Sequence, residues 1–403
     1  MAETSTKQQY SSAWILLLAF FTSLGPLSID MYLPALPQMA NDFAVSTQQI
    51  ANTLPAYFFG LALGQLFYGP ISDRIGRKKP LYFGMSLYAL ASLLCVFAPN
   101  DWAMIAARVL QAMGGCVGVV MARAAIRDKL DLQGAAHAFS SMMIVMGVAP
   151  ILAPMLGALI LSYFNWHGIF IVLSVIGLVC LCCVHFFFEE TLSRERRLKL
   201  SFKQVFLLYG SIFMDKSFRL PMMAGCFTGA ALFCYISSAA SVFMDQLGMD
   251  KQHFAYIFGF NAFGIMLCSS LNKRLSACLS VKQRLALGGG VQLLGACLVL
   301  ASGLMAPVPF YLLCLGIFMT VAGIGFTGPN AMALAMSEQG ARAGTASAIM
   351  GSAQFACGLL AGVMLNFLYG SAILNMGMMM LFFTLLGFIV IYVLVRPLHP
   401  LQS

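Results

Sequence analysis

The chain has 403 residues, 60% of them hydrophobic and only 9% charged, with a mean hydropathy of +0.87 and a formal net charge of +9. A soluble domain carries roughly a quarter of its residues as charge, so this chain has too little polar surface to face water. That excludes a soluble enzyme, a nucleic-acid binder and a secreted disulfide scaffold. Unbroken apolar runs of about 20 residues also favour spanning helices over the alternating pattern of an outer-membrane barrel.

In chain order the predicted spans are Trp14–Leu36, Ile50–Gly69, Leu81–Phe97, Ala103–Ala125, Phe139–Tyr163 and Ile169–Phe188. After a polar break come Leu220–Phe243, Phe254–Leu271, Leu285–Leu304, Phe310–Met336, Gly344–Tyr369 and Ile373–Val395. The first run is too long for a signal peptide, contains Asp30 and ends in Pro-rich sequence without a small-residue cleavage site, so a retained helix is expected. Glu189–Arg219 is the longest break and holds Glu189, Glu190, Arg194, Glu195, Arg196, Arg197 and Lys199. It divides the chain into a six-helix bundle over 1–188, a central loop over 189–219 and a second six-helix bundle over 220–403. An all-α integral membrane fold of two six-helix bundles around a central cavity is a transporter architecture.

Orientation follows from Lys and Arg in the short loops. With the N-terminus in the cytoplasm, 21 of the 23 basic residues are cytoplasmic, leaving Lys251 outside and Arg108 within a helix. The positive charge is thus a topology signal, and both termini are expected in the cytoplasm. All 12 cysteines except Cys278 lie in apolar runs without zinc-type pairing, so neither disulfide nor metal is expected. Gly323-Ile324-Gly325-Phe326-Thr327-Gly328 spells a dinucleotide fingerprint inside an apolar span with no strand before it, and reads as a packing surface. No phosphate-loop motif occurs, so direct ATP drive is not expected.

Four segments carry the functional signal. The stretch after the second span reads Gly69-Pro70-Ile71-Ser72-Asp73-Arg74-Ile75-Gly76-Arg77-Lys78-Lys79. Glycines suit a tight turn, and bases suit a cytoplasmic loop, but neither requirement explains Asp73. The pattern resembles the signature loop of the major facilitator superfamily at every defining position, and Asn272-Lys273-Arg274-Leu275 resembles a degenerate second copy. In the fourth span, Arg108-Val109-Leu110-Gln111-Ala112-Met113-Gly114 is similar to that superfamily's helix 4 motif, with Ala112 in place of a glycine. The fifth span contains Ala149-Pro150-Ile151-Leu152-Ala153-Pro154-Met155-Leu156-Gly157, which resembles the helix 5 motif of drug/proton antiporters, with Ala153, Pro154 and Gly157 as its packing residues. Pro26-Leu27-Ser28-Ile29-Asp30-Met31-Tyr32-Leu33-Pro34 in the first span resembles the bicyclomycin/chloramphenicol resistance subgroup. Gly64-Gln65-Leu66-Phe67-Tyr68-Gly69-Pro70, Asn165-Trp166-His167 and Gly344-Thr345-Ala346-Ser347 extend that likeness to both halves. Where some relatives carry a second acid in the first helix, this chain has Thr22.

The resemblance implies a major facilitator fold and a bacterial inner-membrane multidrug efflux antiporter exchanging small amphipathic compounds, antibiotics included, for protons. No cofactor is expected beyond protons as the coupling ion. The expected partners are substrate and membrane lipid, with the chain monomeric. The competing readings are a dedicated exporter of one metabolite or siderophore, a proton-coupled importer and a non-transporting sensor. An Arg inside a spanning helix costs roughly 2.5–3.5 kcal/mol on insertion scales and needs a partner or an aqueous cavity. Asp30 and Arg108 fall about 9 and 8 Å from the outer ends of their runs at 1.5 Å per residue, so Asp30 is expected to carry the proton with Arg108 as its electrostatic partner. Asp73 is expected near the N-terminal end of the eleventh span, with Gly69, Arg74, Gly76, Arg77 and Lys78 completing a cytoplasmic gate. Tyr57, Gln111, Asn261, Asn330 and Gln354, with Met142 and Met146, are the expected cavity lining.

Overall fold

The computed structural model describes residues 12–130, 132–197 and 202–396, and among these the regular structure is helical throughout. Lys7 and Lys199, counted above in the charge asymmetry, lie outside the described residues. Among the described residues twelve helices are long and apolar enough to cross a membrane. Hydrocarbon offers no water to backbone N–H and C=O groups, and a helix pairs them within itself.

The first six are α1 (Ser12–Asp30), α2 (Thr53–Ile75), α3 (Lys78–Val96), α4 (Asp101–Lys129), α5 (Leu132–Tyr163) and α6 (Trp166–Phe187). The second six are α7 (Lys216–Ala240), α8 (Lys251–Leu275), α9 (Val281–Leu304), α10 (Phe310–Ala322 and Ile324–Met336), α11 (Ala343–Leu365) and α12 (Ala372–Val395). α1 is prolonged past Asp30 by short turns over Leu33–Ala35 and Leu36–Asp42, where Pro34 and Pro37 lack the N–H that a continuous helix would use. Asp30 is therefore the last residue of the unbroken first helix.

Three further departures from the sequence expectation bear on the site. The signature stretch is mostly helix: α2 continues to Ile75, and only Gly76 and Arg77 separate it from α3. Gly76, at φ +94°, ends α2 in a conformation that side-chain-bearing residues rarely adopt. The central break is not all loop. Most of its charges fall in 189–199, and Phe202–Met214 forms a further helix, here called the linker helix. The tenth span is interrupted at Gly323. A Cβ on Gly323 would fall on the side chain of Gln292. The buried Gln292 amide uses that space to donate to the carbonyls of Thr320 (3.0 Å) and Thr228 (3.3 Å). Of the fingerprint-like glycines, Gly325 serves packing, lying flat against the α8 backbone at Ile265 and Ser269.

Packing within the two halves is parallel. α1 packs on α5, α2 on α4, and α3 on α4 and α6; α7 packs on α11, α8 on α10, and α9 on α10 and α12. The halves meet along α2–α11 and α5–α8, contacts that exchange under the same repeat. At the end opposite the basic loops this seam is hydrogen-bonded shut. Gln48 donates to the Leu365 carbonyl (3.1 Å), Asn366 to Asn52 (2.6 Å) and Lys251 to the Leu161 carbonyl (2.6 Å). The gap left there between Asn52, Ser237 and Asn375 is a cavity of about 20 Å³, room for one water. Deeper in the seam, Ser352 of α11 donates to the Ala62 carbonyl of α2 at 2.9 Å.

Candidate transport site and gate

Arg108 is fully buried within the first half. Its guanidinium donates to Gln111 Oε1 (2.6 Å) and to the Ser28 carbonyl (2.9 Å), and lies 4.3 Å from the ring centres of both Tyr32 and Tyr57. A desolvated cation over an aromatic face gains about 2 kcal/mol, so the rings replace much of the lost hydration. Around this centre Gln111 donates to Ser92 (2.8 Å), Ser28 shares a hydrogen bond with Tyr88 (2.7 Å), and Tyr32 with Thr53 (2.9 Å). One charge thereby ties together α1, α2, α3 and α4.

Asp30 is buried, 4% exposed, and its Oδ1 has no hydrogen-bond partner. Among the described residues it forms no ion pair, and the expected contact with Arg108 is not made. Equal depth in the membrane does not fix the direction in which a side chain points. Arg108 approaches α1 at Ser28, and at 3.6 residues per turn a side chain two positions on points about 200° away. Tyr235 of α7, in the opposite half, accepts through its hydroxyl from Asn261 of α8 at 3.0 Å. Thr22 satisfies itself on the Ala19 carbonyl at 2.7 Å.

The fifth-helix motif presses α5 onto α1. Ala153, Pro154 and Gly157 are buried, and a Cβ on Gly157 would collide with the Met31 carbonyl oxygen, one residue after Asp30. The motif therefore sets the backbone on which Asp30 stands.

The expected lining residues do not form one wall. Tyr57 and Gln111 are fully buried around Arg108, and Met142 is buried while Met146 is half-buried on α5. Asn330 is removed from the lining altogether. It donates to Asn272 (2.8 Å) and to the Phe326 carbonyl (2.8 Å), inside the second half near its basic end. Gln354 is exposed on α11 beside Gly229 of α7. Asn261 lines a separate side cavity of about 620 Å³ with Phe243, Tyr256, Phe260, Leu315 and Phe318.

At the basic end, Arg77 organises the signature stretch. It pairs with Asp73 (2.6 Å) and Asp128 (2.9 Å) and donates to Ser72 (2.6 Å). Burial lowers its pKa, but the hydrogen bond to Asp128 and the charge of Asp73 outweigh that and hold it above its ordinary value. Glu190, just past α6, accepts from the backbone N–H groups of Arg77 (2.8 Å) and Lys78 (3.3 Å), and Gly76 leaves the space its carboxylate occupies. Thr191 completes the knot on Asp128 at 3.0 Å. Arg74 is exposed, and a Cβ on Gly69 would meet nothing within 4 Å. The side chain seated against the first turn of α11, at Gly344, is that of Arg127. The second half repeats the device in neutral form: Asn272 accepts from Arg284 (3.1 Å) and Asn330 (2.8 Å). Asp128 and Glu190 went unrecognised as gate partners. Their signal was available, since each is an acid within or bordering a basic stretch.

Two pseudo-equivalent six-helix bundles that meet along α2–α11 and α5–α8 define a multi-pass membrane transporter fold. The chain belongs to the Major Facilitator Superfamily, whose family model matches residues 16–362. It is 36% identical over 83% of its length to an uncharacterized MFS-type transporter, YdgK, of Bacillus subtilis, covering 84% of that protein. It is 30% identical over 88% of its length to a bicyclomycin resistance protein homolog of Haemophilus influenzae, of which it covers 89%. It is also 29% identical over 96% of its length to multidrug resistance protein D of Escherichia coli, covering 95% of that protein. Two of these relatives carry resistance names, in line with the resemblance of the motifs. Among solved structures, a D-xylose-proton symporter shares the fold with a TM-score of 0.73 at 13% identity, covering 94% of this chain and 97% of that one.

Proposed function

We propose that the protein is a proton-coupled exporter of small amphipathic compounds, antibiotics among them, in the bacterial inner membrane. The observation that carries this reading is Asp30, a buried carboxylate whose Oδ1 has no hydrogen-bond partner and which forms no ion pair among the described residues, placed where the first helix breaks. An ionised carboxylate held out of water without a counter-charge is costly. Binding a proton removes that cost, and opening of the seam to water on either side would return it. That makes Asp30 a proton acceptor whose occupancy depends on conformation. Arg108 acts beside it as a fixed scaffold rather than as a movable counter-ion. The basic end, with Arg77, Asp128 and Arg127, then faces the cytoplasm, as does each terminus, in agreement with the positive-inside rule. No cofactor is needed: one proton moving down 100 mV supplies about 2.3 kcal/mol, enough for a gradient of roughly 50-fold in a neutral substrate.

The test is proton release on substrate addition in proteoliposomes, screened over candidate compounds, with wild type compared against Asp30→Asn. Wild type should release protons with an active compound, and the variant should bind the compound without releasing any. Accumulation at the wild-type rate by Asp30→Asn, with a pH gradient as the only energy source, rules out Asp30 as the carrier. Protection of cells against many unrelated antibiotics supports drug efflux, and protection against one compound or none points to a dedicated metabolite exporter.

A further inference from the structure

The linker helix Phe202–Met214 has three distinct faces. At 100° per residue, Val205, Tyr209 and Ile212 share one side, and all three are buried in a core with Phe218 and Met222 of α7 and Ala346 and Ile349 of α11. Tyr209 also donates to the Leu66 carbonyl of α2 at 2.8 Å, and the Phe206 ring meets Phe67 of α2 edge-on at 6.3 Å. The helix thus docks on the second half and reaches across to the first, straddling the basic end of the α2–α11 seam. A second arc, about 130° away, carries Phe206, Leu207, Gly210, Phe213 and Met214, all exposed, with Leu207 at 65% and Met214 at 70%. Between the two lies a polar arc with the exposed Gln204 and Ser211.

The apolar arc continues the outward-facing surface of α2, through the contact of Phe206 with the exposed Phe67. Around it stand Lys203, Lys216 and Arg219, none in an ion pair among the described residues, and the helix itself contains no acid. An amphipathic helix of this kind settles about 5–10 Å into the headgroup–acyl boundary. We propose that the linker helix is a lipid-anchored strap. Its Phe206–Met214 face sinks into the leaflet at the basic end, and Lys203, Lys216 and Arg219 engage anionic phospholipid headgroups, which keeps the α2–α11 seam covered from the lipid side. Three such cations near an anionic surface raise affinity by roughly 100-fold.

The test uses the full chain in nanodiscs of phosphatidylcholine alone and of phosphatidylcholine mixed with phosphatidylglycerol. Amide hydrogen exchange over 202–214 should slow by about tenfold in the anionic discs, and Lys203→Gln with Lys216→Gln should remove most of that difference. Separately, Phe213→Trp and Ser211→Trp, both at exposed positions, are compared with phospholipid brominated near the headgroup. The added emission of Phe213→Trp should be quenched at least about twofold more than that of Ser211→Trp. Equal exchange in the two kinds of disc, or equal quenching of the two variants, overturns the proposal.

Discussion

Arg77 binds Asp128 across the basic end of the first half, Nε to Oδ2 at 2.9 Å and Nη2 to Oδ1 at 3.3 Å, while its Nη1 holds Asp73 on its own segment at 2.6 Å. The guanidinium is almost fully buried, whereas Asp73 is partly exposed. α2, α3, α4 and the chain after α6 are joined through this one side chain and Glu190.

Removing Arg77 leaves Asp128 buried without its cation. Breaking a buried pair costs about 3–5 kcal/mol, and partial exposure of Asp73 moves the expectation for Arg77→Ala to the lower end of that range. The apparent melting temperature in detergent should fall by several degrees. Asp73→Asn leaves the Asp128 pair in place, so it should cost much less stability while still slowing transport. Equal melting temperatures for Arg77→Ala and wild type would show that the knot contributes nothing to folding.

Gly157 and Gly69 belong to two different motifs and should respond oppositely to alanine. A Cβ on Gly157 meets the Met31 carbonyl, a backbone atom that can yield only if α5 and α1 separate. Gly157→Ala should therefore displace the Asp30 segment and reduce transport by tenfold or more, by order of magnitude one interaction of about 1.4 kcal/mol. Gly69 has open space and lies within a helix, so Gly69→Ala should be tolerated and should stabilise by about 0.5–1 kcal/mol. Transport rates and melting temperatures of the two variants, taken together, check the contrast.

Asp215 caps α7, accepting from Ser217 N (3.0 Å) and Oγ (2.8 Å) and from Gln339 of the α10–α11 turn (3.1 Å). The hydrogen bonds from Ser217 and Gln339 favour the charged form and hold its pKa below the ordinary carboxylate value. For a depressed acid, the stabilisation is fully present above the unfolded pKa of about 3.9 and is lost as pH falls through the lower folded value. Asp215→Asn keeps a helix cap but cannot ionise, so its melting temperature should be lower than wild type near neutrality, flatter below about pH 4, and should approach wild type in acid. A wild-type and a variant curve that run parallel through the acid range would exclude Asp215 as a source of acid sensitivity.

Twelve spans, two halves and the signature stretch were legible because membrane insertion writes them as long apolar runs and one-sided charge. Directions within the bundle were not. Depth placed Asp30 and Arg108 together, but a two-residue offset turns a side chain to the other flank of a helix, and only packing shows which flank faces which neighbour. Asn330 looked like cavity lining because polar residues in spans are scarce; its partner Asn272 is 58 residues away and is brought near by the fold. The linker helix was hidden because the charges at its start made the whole break look like loop.

The separation of Asp30 from Arg108 makes a sharp prediction about stability. If the two were an ion pair, neutralising Asp30 would strand a buried cation and cost about 3–5 kcal/mol. Here two of the three Arg108 nitrogens donate, to Gln111 and the Ser28 carbonyl, its Nε has no hydrogen-bond partner, two tyrosine rings flank the guanidinium, and Asp30 has no counter-charge to abandon. Asp30→Asn should therefore leave the melting temperature unchanged or raise it, even while proton coupling is lost. Arg108→Gln breaks the network that ties α1 to α4 and should lower it markedly. Arg108→Lys keeps the charge but lacks the planar fork, so it should fall between the two. In the double variant Asp30→Asn with Arg108→Gln, the two effects should add to within about 0.5 kcal/mol, as for sites that share no direct contact. A double variant distinctly more stable than Arg108→Gln plus Asp30→Asn predicts would show that the charges are coupled and that the proton carrier has a movable counter-ion after all.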